Sequence, residues 1–177
     1  CFNSHPTTAI FQTKNYYMTT DSKKAKTGAE KINWDLSDLY KSSDDPQLQK
    51  DKKEVLAAAD KFADKYKGRI DSLSAAEFKE LLKEYETIQD RGGKIGSFAY
   101  LQWSTDTSNS EYGKLVQESN ELSSELNQKL VFFDVEWLKV DNKKAQALIN
   151  DPQLSFYSHY LDSSRRYKKH VLEEQQE

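Results

Sequence analysis

The chain has one cysteine, three prolines, six glycines and three histidines in 177 residues, and each scarcity removes a class of protein. A lone thiol, Cys1, closes no internal disulfide and builds no thiolate metal cluster, so the composition fits a reducing compartment and points to the cytoplasm. So few turn-forming residues argue against a β fold assembled from many short strands. No apolar stretch approaches the about 20 residues that a membrane helix needs, and no membrane partner is expected. With a formal charge of −3 and lysines interspersed among Asp and Glu, the sequence carries no basic stripe for a phosphate backbone, which excludes nucleic acid as an expected partner.

What remains is a chain 36% hydrophobic and 31% charged, the composition of long helices washed by solvent on one side. The expected fold class is all-α, with antiparallel helices and one long helical hairpin. Residues 1–17 show no helical periodicity and no signal-peptide core, and they read as upstream read-through or a disordered tail rather than as a segment processed to a lipid-bearing Cys1. Met18 is the more natural start. The Lys-rich stretch that follows buries too little apolar area to offset ordering, so residues 1–31 are expected to form a disordered leader, followed by a helical domain over 32–170 and a polar, truncated end over 171–177.

Order is expected to begin near Trp34, where Trp34, Leu36, Leu39 and Tyr40 suit a short helix or turn that lays an aromatic anchor on the domain. Asp45-Pro46 opens the first long helix, whose apolar face runs through Leu48, Val55, Leu56, Ala59, Phe62, Ala63 and Tyr66, with Gly68 as its stop. Ser74-Ala-Ala-Glu77 is a capping box flanked by Leu73 and Phe78 in hydrophobic-staple positions. Phe78, Leu81, Leu82, Tyr85, Ile88, Ile95 and Ala99 carry that second helix toward Trp103. Gly92, Gly93 and Gly96 interrupt it, and the spacing favours close approach of a neighbouring helix over a kink. "GGKIG" lacks the glycine spacing and the Ser or Thr of a phosphate-binding loop.

Ser108-Asn-Ser-Glu111 reads as a second capping box, which makes Thr105 to Asn109 a short link between antiparallel neighbours. Leu115, Ser119, Leu122, Leu126, Lys129, Phe133 and Trp137 then predict a narrow seam along the hairpin. Tyr100, Trp103 and Tyr112 are expected to fill one end of it. "LVFFDVEWLKV" also alternates as a strand would, but the helical pattern before it decides for helix. Two shorter helices are expected, one over Asn142 to Asn150 and one from Asp151-Pro152 through Phe156, Tyr157, Tyr160 and Leu161. "DPQL" occurs at both Asp45 and Asp151 and reads as repeated cap chemistry rather than a structural repeat.

No catalytic, cofactor-binding or metal-ligating residue is expected in this chain. The histidines are His5, His159 and His170, without a His-Glu-x-x-His arrangement or a nucleophile beside a base. On one continuous helix the last two would stand about 16 Å apart, too far to share a zinc ion with bonds near 2 Å. Glu118, Glu121 and Glu125 fall on solvated faces. Arg165 and Arg166 read as a solvated helix end in preference to an anion site.

"INWDLSDLY" from Ile32, "FAYLQWSTDTSNSEYGKL" from Phe98, "LVFFDVEWL" from Leu130 and "LINDPQLSFYSHYLDSSRRYKKH" from Leu148 occur in that order. Together they resemble the N-terminal helical region of oligoendopeptidase F, in the thimet-oligopeptidase-like group of zinc peptidases. The resemblance implies that the complete protein is a zinc metalloendopeptidase acting on oligopeptides, with the metal motif in a C-terminal catalytic domain that this chain lacks. It implies that the chain itself is the N-terminal lobe, holding no zinc, inactive alone and walling one side of the peptide cleft. The alternative is a free-standing all-α interaction module without catalysis. Under the peptidase reading Phe156, Tyr160 and Leu161 are expected to stay partly bare.

Overall fold

The computed structural model describes residues 35–166. The leader over 1–31, the 171–177 end, Trp34, His5 and His170 lie outside the described residues. Within them the chain is helical throughout and no strand occurs. Its elements are α1 (Pro46–Tyr66), a 3-10 turn (Ile70–Ser72), α2 (Ala75–Thr105), α3 (Ser110–Lys139), α4 (Asn142–Ile149), a second 3-10 turn (Pro152–Leu154) and α5 (Ser158–Arg165).

A turn over residues 37–39 precedes α1 and sets Tyr40 against the body. Tyr40 is buried, with its ring edge on Phe98 at a centroid distance of 5.2 Å and its hydroxyl donating to Asp51 Oδ2 at 2.8 Å. Asp45 accepts from the Gln47 amide at the start of α1, ahead of Pro46. Leu48, Val55, Ala59, Phe62 and Tyr66 form the buried stripe, with Leu56 and Ala63 at its margins. The chain leaves α1 through Gly68 at φ +78°, a left-handed conformation that a β-carbon disfavours. The Gly68 amide donates to both carboxylate oxygens of Glu136 at 2.8 and 3.0 Å, pinning the exit of α1 to α3.

The capping box at Ser74 is formed in both directions, and Leu73 and Phe78 beside it are buried. From there α2 and α3 make the hairpin, each 30 or 31 residues long, or about 45 Å of rod at 1.5 Å per residue. α1 packs against both. The seam on α3 runs through Leu115, Ser119, Leu122, Leu126, Leu130, Phe133 and Trp137, with Phe132 also buried. Lys129 is a correction to the expected seam. Its ammonium reaches Asp60 at 2.5 Å and Glu125 at 3.6 Å, and Leu130, one position on, takes the core place.

The turn between the rods also departs from the reading of a Ser108 box. Asn109 is the cap of α3, its side-chain oxygen accepting from the Glu111 amide at 2.9 Å, while Ser108 turns back to Asp106. An Asn cap serves the same orphan amides as Ser, and Asp106 competes for the Ser108 hydroxyl at 2.6 Å. α2 extends to Thr105, so the connection is Asp106 to Asn109. Nor do the aromatics fill that end: Tyr100 is 60% exposed and stacks loosely on half-buried Trp103 at 5.9 Å, and Tyr112 is half-buried. The core at this end stops at Phe98, Ala99 and Leu115.

The glycines divide. A β-carbon at Gly92 would meet Leu126 Cδ1 at 3.0 Å, which is the expected close approach; one at Gly96 would sit 3.6 Å from Ser119 Oγ. Gly93 faces open space, and helical bonding runs unbroken past all three.

Beyond α3, Asp141 caps α4, and Ala145 and Leu148 bury its inner face. The helix expected from Pro152 is instead a 3-10 turn followed by α5. Asp151 caps as Asp45 does, accepting from the Gln153 amide at 2.8 Å, so the repeated "DPQL" is indeed shared cap chemistry. After Leu154, which is fully buried, a further turn intervenes before α5 begins at Ser158. Leu161 is also fully buried, a correction to the expectation that it stays bare, whereas Phe156 is 80% and Tyr160 39% exposed.

Two substitutions test this description with opposite signs. Ser74→Ala removes a formed capping box and is expected to cost about 1 kcal/mol. Gly93→Ala adds a methyl in open space mid-helix and is expected to gain about 0.5–1 kcal/mol. Urea denaturation midpoints of both variants check the signs.

Candidate functional site

A cleft of about 460 Å³ opens between α2 and the segment that leads into α5. One wall is Leu82, Tyr85, Glu86, Gln89 and Asp90, residues spaced three and four apart and therefore on one side of α2. The other is Phe156, Tyr157 and Tyr160. Phe156 and Tyr157 meet edge to face, at 4.9 Å and 90°. The Tyr157 hydroxyl donates to Glu86 Oε2 at 2.7 Å, closing the two walls at one corner, and Gln89 Nε2 donates to the Tyr85 hydroxyl at 2.9 Å.

Loss of solvent dominates the proton affinities here. Burial pushes the Tyr85 and Tyr160 phenols above the ordinary range, with the nearby Asp134 carboxylate adding to both. Tyr157 is pushed up to about 12, by desolvation first and by Glu86 second. Asp134 itself is raised by desolvation. At neutral pH the phenols are all hydrogen-bond donors, and the fixed charges on the rim are carboxylates.

The aromatic wall is held in place from behind. Trp137 of α3 is buried, and its indole N–H is shared between Ser164 Oγ at 3.0 Å and the Leu161 carbonyl at 3.3 Å. Arg165 of α5 lies over the Trp137 ring at 5.1 Å and donates to the carbonyls of Trp137 and Val140 and to Asn142 Oδ1. Trp137 lies in the last turn of α3, where its carbonyl also accepts from the Val140 amide at 3.3 Å, and Val140 is the cap residue that follows the helix. Arg165 is thus a cap on α3 supplied from α5, and neither a solvated helix end nor an anion site. Burial lowers its proton affinity. Arg166, by contrast, is exposed and pairs with Asp162 at 3.0 Å.

A second, smaller groove of about 280 Å³ runs along the hairpin past Gly92, Gly96 and Tyr100 on α2 and Ser119, Leu122 and Leu126 on α3. Gln89 lines both hollows.

The other residues weighed from sequence stay apart. His159 is exposed, with its Nε2 3.4 Å from Ser163 Oγ. Glu118 pairs with Lys52 at 2.8 Å and Lys114 at 3.8 Å, Glu121 accepts from Gln117, and Glu125 pairs with Lys129. Among the described residues no group of three or more His, Cys, Asp or Glu side chains is placed to hold a metal ion. Among the same residues no helix is long and apolar enough to cross a membrane.

A family model described as Oligopeptidase F matches residues 136–177. An oligoendopeptidase F homolog of Borreliella burgdorferi is 31% identical over 148 residues, covering 84% of this chain and 24% of the relative. Oligopeptidase PepF of Bacillus subtilis is 27% identical over 145 residues, 81% of this chain and 21% of the relative. These matches support an N-terminal region of oligoendopeptidase F. The chain spans under a quarter of the length of these curated relatives. No solved structure matches it. The span matched by the family model contains Trp137, Arg165 and the whole aromatic wall of the cleft.

The cleft was not legible beforehand, because Tyr85 and Tyr160 are 75 positions apart and both read as core aromatics. The available signal was the acidic pair Glu86 and Asp90, which stands on the same side of α2 as Tyr85 where an apolar stripe alone needs no charge.

Arg165→Ala leaves the carbonyls of Trp137 and Val140 without this donor and is expected to destabilise the chain by about 1–3 kcal/mol. It is also expected to weaken the near-ultraviolet circular dichroism of Trp137 while most helicity persists, as followed by urea titration at both wavelengths.

Proposed function

We propose that this chain is the N-terminal lobe, over residues 32–170, of a zinc-dependent oligopeptidase, and that it forms one wall of the cleft that admits the peptide. The reading rests on one observation above the others: in-order similarity over more than four fifths of this chain to proteins named oligoendopeptidase F or oligopeptidase, of which it spans less than a quarter.

By its resemblance to oligoendopeptidase F, the complete protein is expected to hold its zinc in a C-terminal catalytic domain. Bound there, a zinc ion supplies Lewis-acid activation of water for peptide hydrolysis. The contribution of this chain is steric and electrostatic. Two long rods braced by α1 resist bending, and a rigid wall excludes folded proteins while leaving room for an extended oligopeptide. Hydrolysis of internal bonds in short peptides is the activity of the complete protein. A cytoplasmic location is part of the same reading, and the single cysteine is compatible with it.

The test is to follow the native reading frame past Glu177 and express the complete product. An open frame reaching His-Glu-x-x-His, with zinc-dependent cleavage of an internally quenched oligopeptide, is expected. The 177-residue chain alone is expected neither to retain zinc nor to turn over that peptide. An immediate native stop codon, or turnover by the isolated chain, would overturn the reading, and the stop would favour a free-standing interaction module.

A further inference from the structure

The walls of the 460 Å³ cleft combine three phenols, one exposed phenyl ring and two carboxylates, with no Lys, Arg or His among the lining residues. Ring faces carry negative quadrupole density that attracts a cation, and a carboxylate attracts the same sign through its charge. The two kinds of wall therefore agree on which ligand they favour. An anion meets Glu86 and Asp90 and is rejected. A purely apolar ligand gains nothing from those two charges and has to desolvate them.

From this agreement we infer that the cleft between α2 and α5 is a binding subsite for the positively charged group of a peptide, its cation seated among Tyr85, Phe156, Tyr157 and Tyr160 with Glu86 and Asp90 as counter-charges. That the cation arrives on a peptide rests on the proposed function; that the cleft takes a cation rests on its lining alone. The size suits one or two residues, since pockets for small ligands begin near 300 Å³. The geometry is held in place before any ligand arrives. Tyr157 is tied to Glu86, Tyr85 to Gln89, and α5 to α3 by Trp137 and Arg165. Phe156 is the exception: 80% exposed, it is free to lie over a ligand that enters.

The 177-residue chain is titrated with N-acetyl-arginine amide, N-acetyl-lysine amide, glycinamide and the neutral isostere N-acetyl-citrulline amide, observed by the aromatic resonances of Phe156, Tyr157 and Tyr160. The arginine and lysine compounds are expected to bind at least about fivefold more tightly than citrulline and to shift those three residues. The double variant Glu86→Gln, Asp90→Asn is expected to erase most of that preference with unchanged far-ultraviolet circular dichroism. Glycinamide matching the arginine compound would keep the cation and place it at the amino terminus of the peptide. Equal binding of citrulline, no shift with any cation, or a preference untouched in the double variant would each overturn the inference. These outcomes are separate from the reading-frame test: a cleft blind to charge leaves the peptidase reading standing, and a stop codon after Glu177 leaves the cation preference standing.

Discussion

The contact on which the candidate site depends is the clamp between Trp137 and α5. The last carbonyls of an α-helix lack their usual intrahelical donors, and at the end of α3 Arg165, 28 positions beyond Trp137, donates to the carbonyls of Trp137 in the last turn and of Val140, the cap. The same guanidinium lies over the indole whose N–H reaches back to Leu161 and Ser164. Donor, acceptor and stacking partner are thus exchanged between two helices within one turn of each, and α5 has a single seat on α3. Because Tyr160 belongs to α5 and Phe156 and Tyr157 lead into it, this clamp holds the aromatic wall beside α2, and the bond from Tyr157 to Glu86 adds a direct tie.

The cleft is also continuous with the core. Tyr85 touches Phe62 at 5.9 Å and Phe133 at 5.0 Å, Phe133 touches Phe78, and Phe78 touches Trp137 at 5.1 Å. The inner wall of the site is therefore the outer ring of an aromatic cluster that joins α1, α2 and α3. The ion pairs add little beside this. Lys50 with Glu54, Lys83 with Glu80 and Lys114 with Glu118 are largely exposed, the class of contact that contributes about 0–1 kcal/mol each. Lys52, with only 13% of its side chain exposed, ties α1 to α3 through Glu118 and is the more structural of the set.

Periodicity and cap chemistry made α1, the start of α2 and the long hairpin legible from sequence, because local rules decide them: an Asp-Pro start, a reciprocal capping box, an apolar residue every three or four positions. The departures occur where two local options compete. Ser108 and Asn109 can each cap α3, and Asp106 decides by taking the Ser108 hydroxyl. Lys129 and Leu130 both fit the seam spacing, and burial selects the residue without a charge. At Pro152 the same cap that starts a long helix at Pro46 starts only a 3-10 turn, although Leu48 and Leu154 are both fully buried, so neither the cap nor that leucine sets the length of the element that follows. Arg165 and the cleft belong to a different kind of failure. Their meaning lies in partners far along the chain, and neither spacing nor propensity carries that information.

The hairpin reaches past its brace. α1 begins at Pro46, and Tyr40 just ahead of it rests on Phe98, while the rods continue through Tyr100 and Trp103 to the turn at Asp106 before returning through Tyr112. Braced as far as Phe98, the hairpin overhangs its support by only the seven residues to Thr105, about 10 Å at 1.5 Å per residue, so a tilt of about 5° there carries the exposed Tyr100 and Trp103 end through only about 1 Å.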